Sequence, residues 1–147
     1  MACDKLRELL GGSAECYSVA GSASENGKRI SFRKPANVSI CRVKVDGCLI
    51  TDNNQRKCDY LFGVDNKQYF LVELKGQDLG TAVDQITNTF RIVDTKIKSG
   101  AGSYTGIVVS SSVPRLADQS FRKLQQDAMR KLGLKIDRKQ IQHEVVL

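Results

Sequence analysis

A carboxylate and an ammonium group on one face of an apolar strand offer the clearest chemistry in this sequence. Glu73 and Lys75 stand two residues apart at the end of the run YFLVELKG, residues 69–76. Residues two apart on a β-strand point to the same face, so both charges lie side by side. A strand this apolar is expected to be buried, and charged groups at its end therefore call for a physical reason.

The preceding run, KCDYLFGV, predicts that two further charges meet them. A three-residue loop, residues 65–67, joins the two runs into an antiparallel hairpin and fixes which residues pair. The predicted pairs are Val64 with Gln68, Phe62 with Phe70, and Tyr60 with Val72. One face of this hairpin is then apolar apart from Gln68 at the turn. On the other face, Leu61, Gly63, Tyr69 and Leu71 are followed by Asp59 opposite Glu73 and Lys57 opposite Lys75.

Two carboxylates placed directly opposite each other destabilise a hairpin, unless something binds them. Mg²⁺ or Mn²⁺ would do so, because hard cations prefer carboxylate and carbonyl oxygens. Lys75 could then polarise a metal-bound water or stabilise charge growing on a phosphate. The structural alternative is that Lys57 and Lys75 only neutralise the carboxylates at an exposed end of the sheet.

The elements that must position these residues follow from hydrophobic periodicity. We expect one domain over residues 1–147, with the order α-β-β-β-α-β-α-β and a mixed sheet with helices on its faces. Residues 13–26, rich in Ser, Ala and Gly, are predicted to form a loop. The predicted elements are a helix over 4–10, a strand over 37–50 that turns at 46–47, the hairpin, a helix that starts at Asp78 and ends at 99–103, a strand over 104–112, a helix over 117–132 and one or two strands over 134–147.

Asp59, thirteen intervening residues and then Glu73-Leu74-Lys75 resemble the signature of the PD-(D/E)xK nuclease superfamily. The predicted element order is similar to its restriction-endonuclease-like α-β-β-β-α-β core, here with an extra C-terminal helix and strand. The sequence segments KCDYLF, YFLVELKG and AVDQI are most similar to small stand-alone bacterial or phage members of this superfamily.

The resemblance implies roles for named residues. Asp59 and Glu73 would bind the metal with the backbone carbonyl of Leu74, and Lys75 would assist the attacking water. Gln85 corresponds to a glutamine that many members carry on the next helix.

The sequence departs from the superfamily at several points. Cys58 replaces the proline of the signature, and Thr89 stands where RecB-type members have a tyrosine. An additional acidic ligand is expected on the first helix, where Glu8 is the best placed carboxylate. The alternatives are Glu15, Glu25 and Asp52.

The charge of the chain indicates a polyanionic partner. Its net charge is +7, and residues 91–147 hold 11 Lys or Arg against 5 Asp or Glu. Basic residues supply affinity for a phosphate backbone that does not depend on base sequence, although a solvated basic face would look the same. The candidate nucleic-acid-binding residues are Lys28, Arg29, Arg33, Lys34, Lys57, Arg122 and Lys123.

Five cysteines and one histidine, without a C-x-x-C pair, predict reduced structural thiols rather than a disulfide framework or a zinc site. No apolar run is long enough to span a bilayer, and the N-terminus lacks the apolar core of a secretory signal. A cytoplasmic protein without a membrane partner is therefore expected.

These features together predict a metal-dependent nuclease that hydrolyses phosphodiester bonds, with DNA favoured over RNA and Mg²⁺ or Mn²⁺ as cofactor. The size of the chain suggests a homodimer for cutting two strands. The alternatives are a catalytically inactive nuclease fold that binds nucleic acid or serves assembly, and a nuclease activated by a partner or small ligand.

Overall fold

The computed structural model describes residues 3–74, 78–111, 115–140 and 142–147, with the backbone alone for residues 115–117. Lys75 therefore lies outside the described residues. The helices are α1 (Asp4–Leu10), α2 (Leu79–Ile97) and α3 (Arg115–Leu132), and short 3₁₀ turns cover Ala14–Cys16 and Ala101–Ser103. The strands are β1 (Tyr17–Ser18), β2 (Ser22–Glu25), β3 (Lys28–Arg33), β4 (Ile40–Lys44), β5 (Tyr60–Val64), β6 (Gln68–Glu73), β7 (Tyr104–Ser110), β8 (Lys135–Gln140) and β9 (Gln142–Val146).

The main sheet is mixed and has the strand order β1-β4-β5-β6-β7-β8. The strands from β1 to β6 in this order pair antiparallel, whereas β6, β7 and β8 pair parallel through the crossover helices α2 and α3. The predicted hairpin register is confirmed, since Tyr60 pairs with Val72 and Val64 with Gln68. Asp59 and Glu73 therefore come to the same end of the hairpin, as the parity argument requires.

Both faces of the β5–β6 hairpin are buried, each against a different layer. Leu61 and Leu71 belong to the core beneath the helices. Phe62 and Phe70 belong to a second core on the opposite face, where both rings contact Phe32 of β3 at centroid distances of 4.5 and 5.1 Å. Apolar burial on both faces makes this hairpin the centre of the fold.

A second sheet, with the order β2-β3-β9, was not predicted. The assignment of residues 13–26 to a loop is wrong, because β1 and β2 lie within them. The expectation of helices on both faces is also wrong: in the described residues the helices contribute to one core and the second sheet covers the other face. The second sheet depends on β9, which pairs with β3 in parallel from far along the chain.

The amphipathic stripe of α2 is confirmed, and the helix begins where predicted. Asp78 caps it by accepting a hydrogen bond from the backbone N–H of Thr81 at 3.0 Å. Ile86 packs so closely on β7 that a methyl group at Gly106 would lie 2.7 Å from its Cγ2 atom. The buried stripe residues are Leu79, Ala82, Val83, Ile86, Phe90 and Val93. They hold α2 against the strands that carry the candidate site.

The prediction that the cysteines are reduced thiols is wrong for four of the five. Cys3 is bonded to Cys41 and Cys16 to Cys48, with Cα–Cα distances of 5.1 and 5.6 Å. Cys58 is free and buried. The bridges attach α1 and the following 3₁₀ turn to β4 and the loop after it. Neither pair forms a short sequence motif, so only the tertiary structure brings the sulfur atoms together.

No helix in the described part of the chain is both long and apolar enough to cross a bilayer. A cytoplasmic location stays a prediction. The two disulfides are a physical argument against it, because disulfides persist mainly in oxidising compartments.

The disulfides give a first prediction. Each bridge closes a separation of 38 or 32 residues, so reduction should lower the free energy of unfolding by about 3–4 kcal/mol per bridge. Urea unfolding with and without dithiothreitol measures this. As a control, alkylation of the denatured, unreduced protein should label Cys58 alone. Labelling of all five cysteines would contradict the bridges.

Candidate active site

Two hydrogen bonds in opposite directions join Asp59 to the adjacent residues Glu73 and Leu74. The backbone N–H of Asp59 donates to Glu73 Oε1 at 3.1 Å, and the backbone N–H of Leu74 donates to Asp59 Oδ2 at 2.7 Å. The Asp59 N–H also donates to the Val72 carbonyl, which extends the hairpin by one position. Each carboxylate is thus oriented by backbone groups of the neighbouring strand.

Both side chains of this pair are buried, at 3% exposure for Asp59 and 0% for Glu73. Removing a carboxylate from water is costly unless hydrogen bonds or a cation compensate for it. Backbone donors supply part of this compensation. Burial of two acids at adjacent strand ends is unusual for a site that serves folding alone.

A third carboxylate, that of Glu25, reaches this pair from the second sheet. Its side chain lies close to Asp59, and burial together with the Asp59 charge raises the pKa of Glu25 above its ordinary value. Lys44 Nζ lies 3.7 Å from Glu25 Oε1, and the Tyr60 hydroxyl donates to the same oxygen at 3.4 Å. Glu25 ends β2, the strand that sequence reasoning assigned to a loop.

Glu8, the expected additional ligand, lies elsewhere. It is on the exposed side of α1. This helix packs through Leu6 beside Gly63, towards the turn of the hairpin and away from Asp59. The structure therefore brings Glu25, and not Glu8, to the acidic pair. Of the other two candidates, Glu15 is exposed in a 3₁₀ turn and Asp52 is exposed in the loop before β5.

Gln85 lies half-buried on α2, at the wall of a polar cavity of ≈ 490 Å³. The same cavity is lined by Arg56 and Lys57, which come shortly before Asp59 in the chain. Gln85 is one helical turn before Thr89, which contacts the residue preceding Asp59. The predicted glutamine thus stands near the segment that carries the acidic pair.

Thr89 is a positioning residue that sequence reasoning missed. Its fully buried hydroxyl accepts a hydrogen bond from the Cys58 N–H at 2.9 Å and donates to the Gln85 carbonyl at 2.7 Å. It thereby ties α2 to the start of β5 and fixes the backbone beside Asp59. A small hydroxyl residue in the apolar stripe of a helix is the signal that could have identified it.

Lys57 is 8% exposed, and its ammonium group is committed to the loop before β5. It donates to the carbonyls of Asp52 and Gln55 at 2.7 and 3.3 Å, and lies 3.9 Å from Asp46 Oδ1. These contacts leave it poorly placed to bind nucleic acid. Its predicted neighbour Lys75 lies outside the described residues.

The remaining basic candidates lie on two surfaces. Lys28, Arg29, Arg33 and Lys34 are on or just after β3, and Arg122 and Lys123 are on α3. Two of them form exposed ion pairs, Arg33 with Glu144 at 3.5 Å and Arg122 with Asp118 at 3.4 Å. Exposed pairs of this kind contribute little stability, so a phosphate can replace the carboxylate at low cost.

The donor atoms at the acidic pair fit a hard divalent cation. They are carboxylate oxygens without thiol or imidazole, the set that Mg²⁺ and Mn²⁺ prefer. Among the described residues, no three Asp, Glu, His or Cys side chains are close enough together to hold a metal ion by themselves. Asp59 and Glu73 would thus be the principal ligands, and Glu25 would act through Asp59.

Comparison with protein-family models, with curated proteins and with solved structures gave no match. The likeness to PD-(D/E)xK nucleases therefore rests on the residues and their arrangement.

Thr89 provides a test of the link between α2 and β5. Thr89→Val keeps the shape of the side chain but leaves the buried Cys58 N–H without an acceptor, which should cost about 1–3 kcal/mol of unfolding free energy. Thr89→Ser keeps the hydroxyl and should cost about 1 kcal/mol or less for the lost methyl group. Urea unfolding of both variants measures the difference. Equal losses would mean that the hydroxyl is not needed.

Glu25 gives a prediction for pH. The pKa of Glu25 is raised above its ordinary value of 4.5 in the folded protein. The stability that Glu25 contributes to the fold is therefore fully present below pH 4.5, and it is lost as the pH rises through the pKa of the folded state. Glu25→Gln removes this loss and should raise the melting temperature in EDTA at pH 7 by about 1–3 °C. The gain should disappear near pH 4. A gain that does not change with pH would contradict the assigned cause.

Proposed function

We propose that this protein is a metal-dependent nuclease, with DNA as the favoured substrate and Mg²⁺ or Mn²⁺ as cofactor. The main support is one observation: Asp59 and Glu73 are buried side by side at the ends of two paired strands, and each carboxylate accepts a hydrogen bond from a backbone N–H of the opposite strand end, that of Leu74 for Asp59 and that of Asp59 for Glu73. The order Asp, Glu-x-Lys along the chain agrees with the PD-(D/E)xK signature.

Each residue of the candidate site has a separate proposed role in catalysis. Asp59 and Glu73 supply oxygen ligands, with the Leu74 carbonyl as the ligand implied by the resemblance. Glu25 adds a third carboxylate beside Asp59 from the side of the second sheet. A cation bound there would lower the pKa of a water molecule and offset negative charge on the phosphate. Gln85 and Lys75 are the proposed groups that orient the attacking water.

Substrate affinity would come from the surrounding positive charge. The net charge of +7 favours a polyanion. Arginines that now pair with surface carboxylates, such as Arg33 and Arg122, are available to phosphates. Preference for DNA over RNA rests on the family resemblance alone.

A second candidate function is a nuclease fold that binds nucleic acid without cutting it. The observation in its favour is that backbone N–H groups already bond to one oxygen each of Asp59 and Glu73. A pair satisfied in this way could persist as a structural element after catalysis had been lost. A nuclease that awaits an activating partner or ligand would look the same.

Cleavage assays separate these candidates. The protein is incubated with supercoiled, linear, branched and single-stranded DNA and with RNA, in Mg²⁺, Mn²⁺ or EDTA. We expect metal-dependent cutting that falls by at least about 100-fold in Asp59→Asn, Glu73→Gln and Lys75→Ala, because each removes a group at the reacting centre. Glu25→Gln should fall about 10- to 100-fold.

Glu8→Gln is the matched control, since Glu8 is exposed on α1 and lies away from Asp59, and it should cut like the wild type. Calorimetric titration with Mn²⁺ provides a second readout, in which Glu73→Gln should bind more weakly. If the protein neither cuts nucleic acid nor binds Mn²⁺ but still binds nucleic acid, the nuclease proposal is overturned and the non-cutting binding module is supported.

A further inference from the structure

The loop that leads into β5 is the most polar exposed segment beside the candidate site. Residues 51–56, with the sequence TDNNQR, are all exposed, and the loop contains three side-chain amides and one guanidinium group. We call residues 51–57 the amide loop. In the described part of the chain, the side chains of Asn53, Asn54 and Arg56 form no hydrogen bond, so their donors and acceptors face solvent.

The amide loop is held in one conformation from within. Asp52 Oδ1 accepts from the Asn54 N–H at 2.9 Å, and the Asp52 carbonyl accepts from the Gln55 N–H at 3.1 Å. The buried ammonium of Lys57 bonds to two carbonyls of the loop. Together these contacts arrange the exposed amides before any ligand arrives, which reduces the entropy lost on binding.

The helix α2 fixes the loop from the other side. Asn88 Nδ2 donates to the Arg56 carbonyl at 2.7 Å and to Gln55 Oε1 at 3.1 Å. Asn54, Gln55 and Arg56 also line two cavities, of ≈ 490 and ≈ 270 Å³. Gln85 lines the first of these and Arg91 the second.

The loop lies within a nucleotide's reach of the acidic pair. Arg56 is three residues before Asp59, so their Cα atoms are at most about 11 Å apart. A base next to a phosphate bound at Asp59 and Glu73 would therefore come close to Arg56, and Asn53 and Asn54 line the same cavity as Arg56.

The charge of the amide loop indicates whether the loop would contact the phosphates or the bases of a nucleic acid. Asp52 and Arg56 carry opposite charges, and Lys57 is buried beside Asp46. A nearly neutral loop adds little to salt-dependent phosphate affinity. Asparagine, glutamine and arginine are, however, the side chains that discriminate between base edges, through paired hydrogen bonds to adenine and guanine.

We propose that the amide loop contacts nucleobases next to the bound phosphate and makes recognition dependent on base sequence. This inference rests on the proposed nuclease function, since it places the target phosphate at Asp59 and Glu73. Asn53, Asn54 and Arg56 are the side chains that would contact the base edges. Lys57 and Asn88 are positioning residues that hold the loop.

The test uses a DNA duplex with a randomised segment, and the cut positions are read by sequencing. The wild type should prefer particular bases near the cut by about fivefold to 100-fold, the discrimination typical of paired contacts to a base. The double variant Asn53→Ala, Asn54→Ala should lose preference at one or more positions while it still cuts. Gln126→Ala, an exposed amide on α3, is the matched control and should keep the wild-type preference.

A binding experiment separates this inference from the nuclease proposal. Glu73→Gln, with and without the double substitution, is used to select bound duplexes from the same randomised pool at several salt concentrations. Loss of base preference with an unchanged salt dependence supports base contacts, even if no cutting is ever detected. Cutting or binding by the wild type without any base preference would overturn the inference, but it would leave the nuclease proposal standing. A double variant in which only the salt dependence changes would have the same meaning.

Discussion

The two hydrogen bonds between the Asp59 and Glu73–Leu74 segments fix a pair of carboxylates inside the protein, and the surrounding layers can be understood from that constraint. Only one register of the β5–β6 hairpin sets these acids side by side and keeps both apolar faces intact. The helices must then cover one face and the second sheet the other, since either face left open would admit water beside a buried charge. The site and the core therefore share one set of restraints.

The parts of the fold that were predictable are those governed by local periodicity. The register of the hairpin followed from the three-residue loop at 65–67, because a slip of one residue would mix the wholly apolar face with the face that carries the charged residues. The α2 stripe followed in the same way, because Leu79, Val83, Ile86 and Phe90 repeat at helical spacing and Asp78 supplies the cap. Asp59 and Glu73 could be named as candidates because this register sets them opposite each other, and Gln85 was named through the family resemblance.

The parts that were not predictable depend on partners far along the chain. The strand β2, with the sequence SASE, has little strand propensity by itself and is held by β3, which in turn is paired with β9. The two disulfides likewise join cysteines whose proximity only the tertiary structure creates. Glu25 was therefore one of several equivalent acids in the sequence, and its selection needed the second sheet.

The pairing of β3 with β9 also sets the order in which the site is assembled during protein synthesis. Arg29 and its partner Gln142 are 113 residues apart, so a ribosome that adds about 5–20 residues per second makes the second about 6–23 s after the first. In that interval β2 and β3 form only a two-stranded hairpin, which is marginally stable alone. The hairpin with Asp59 and Glu73 is complete well before then. The hairpin face that packs on the second sheet nevertheless stays open until β9 is made. Glu25 therefore becomes a fixed neighbour of Asp59 only when that sheet closes, which makes completion of the site a late step of folding.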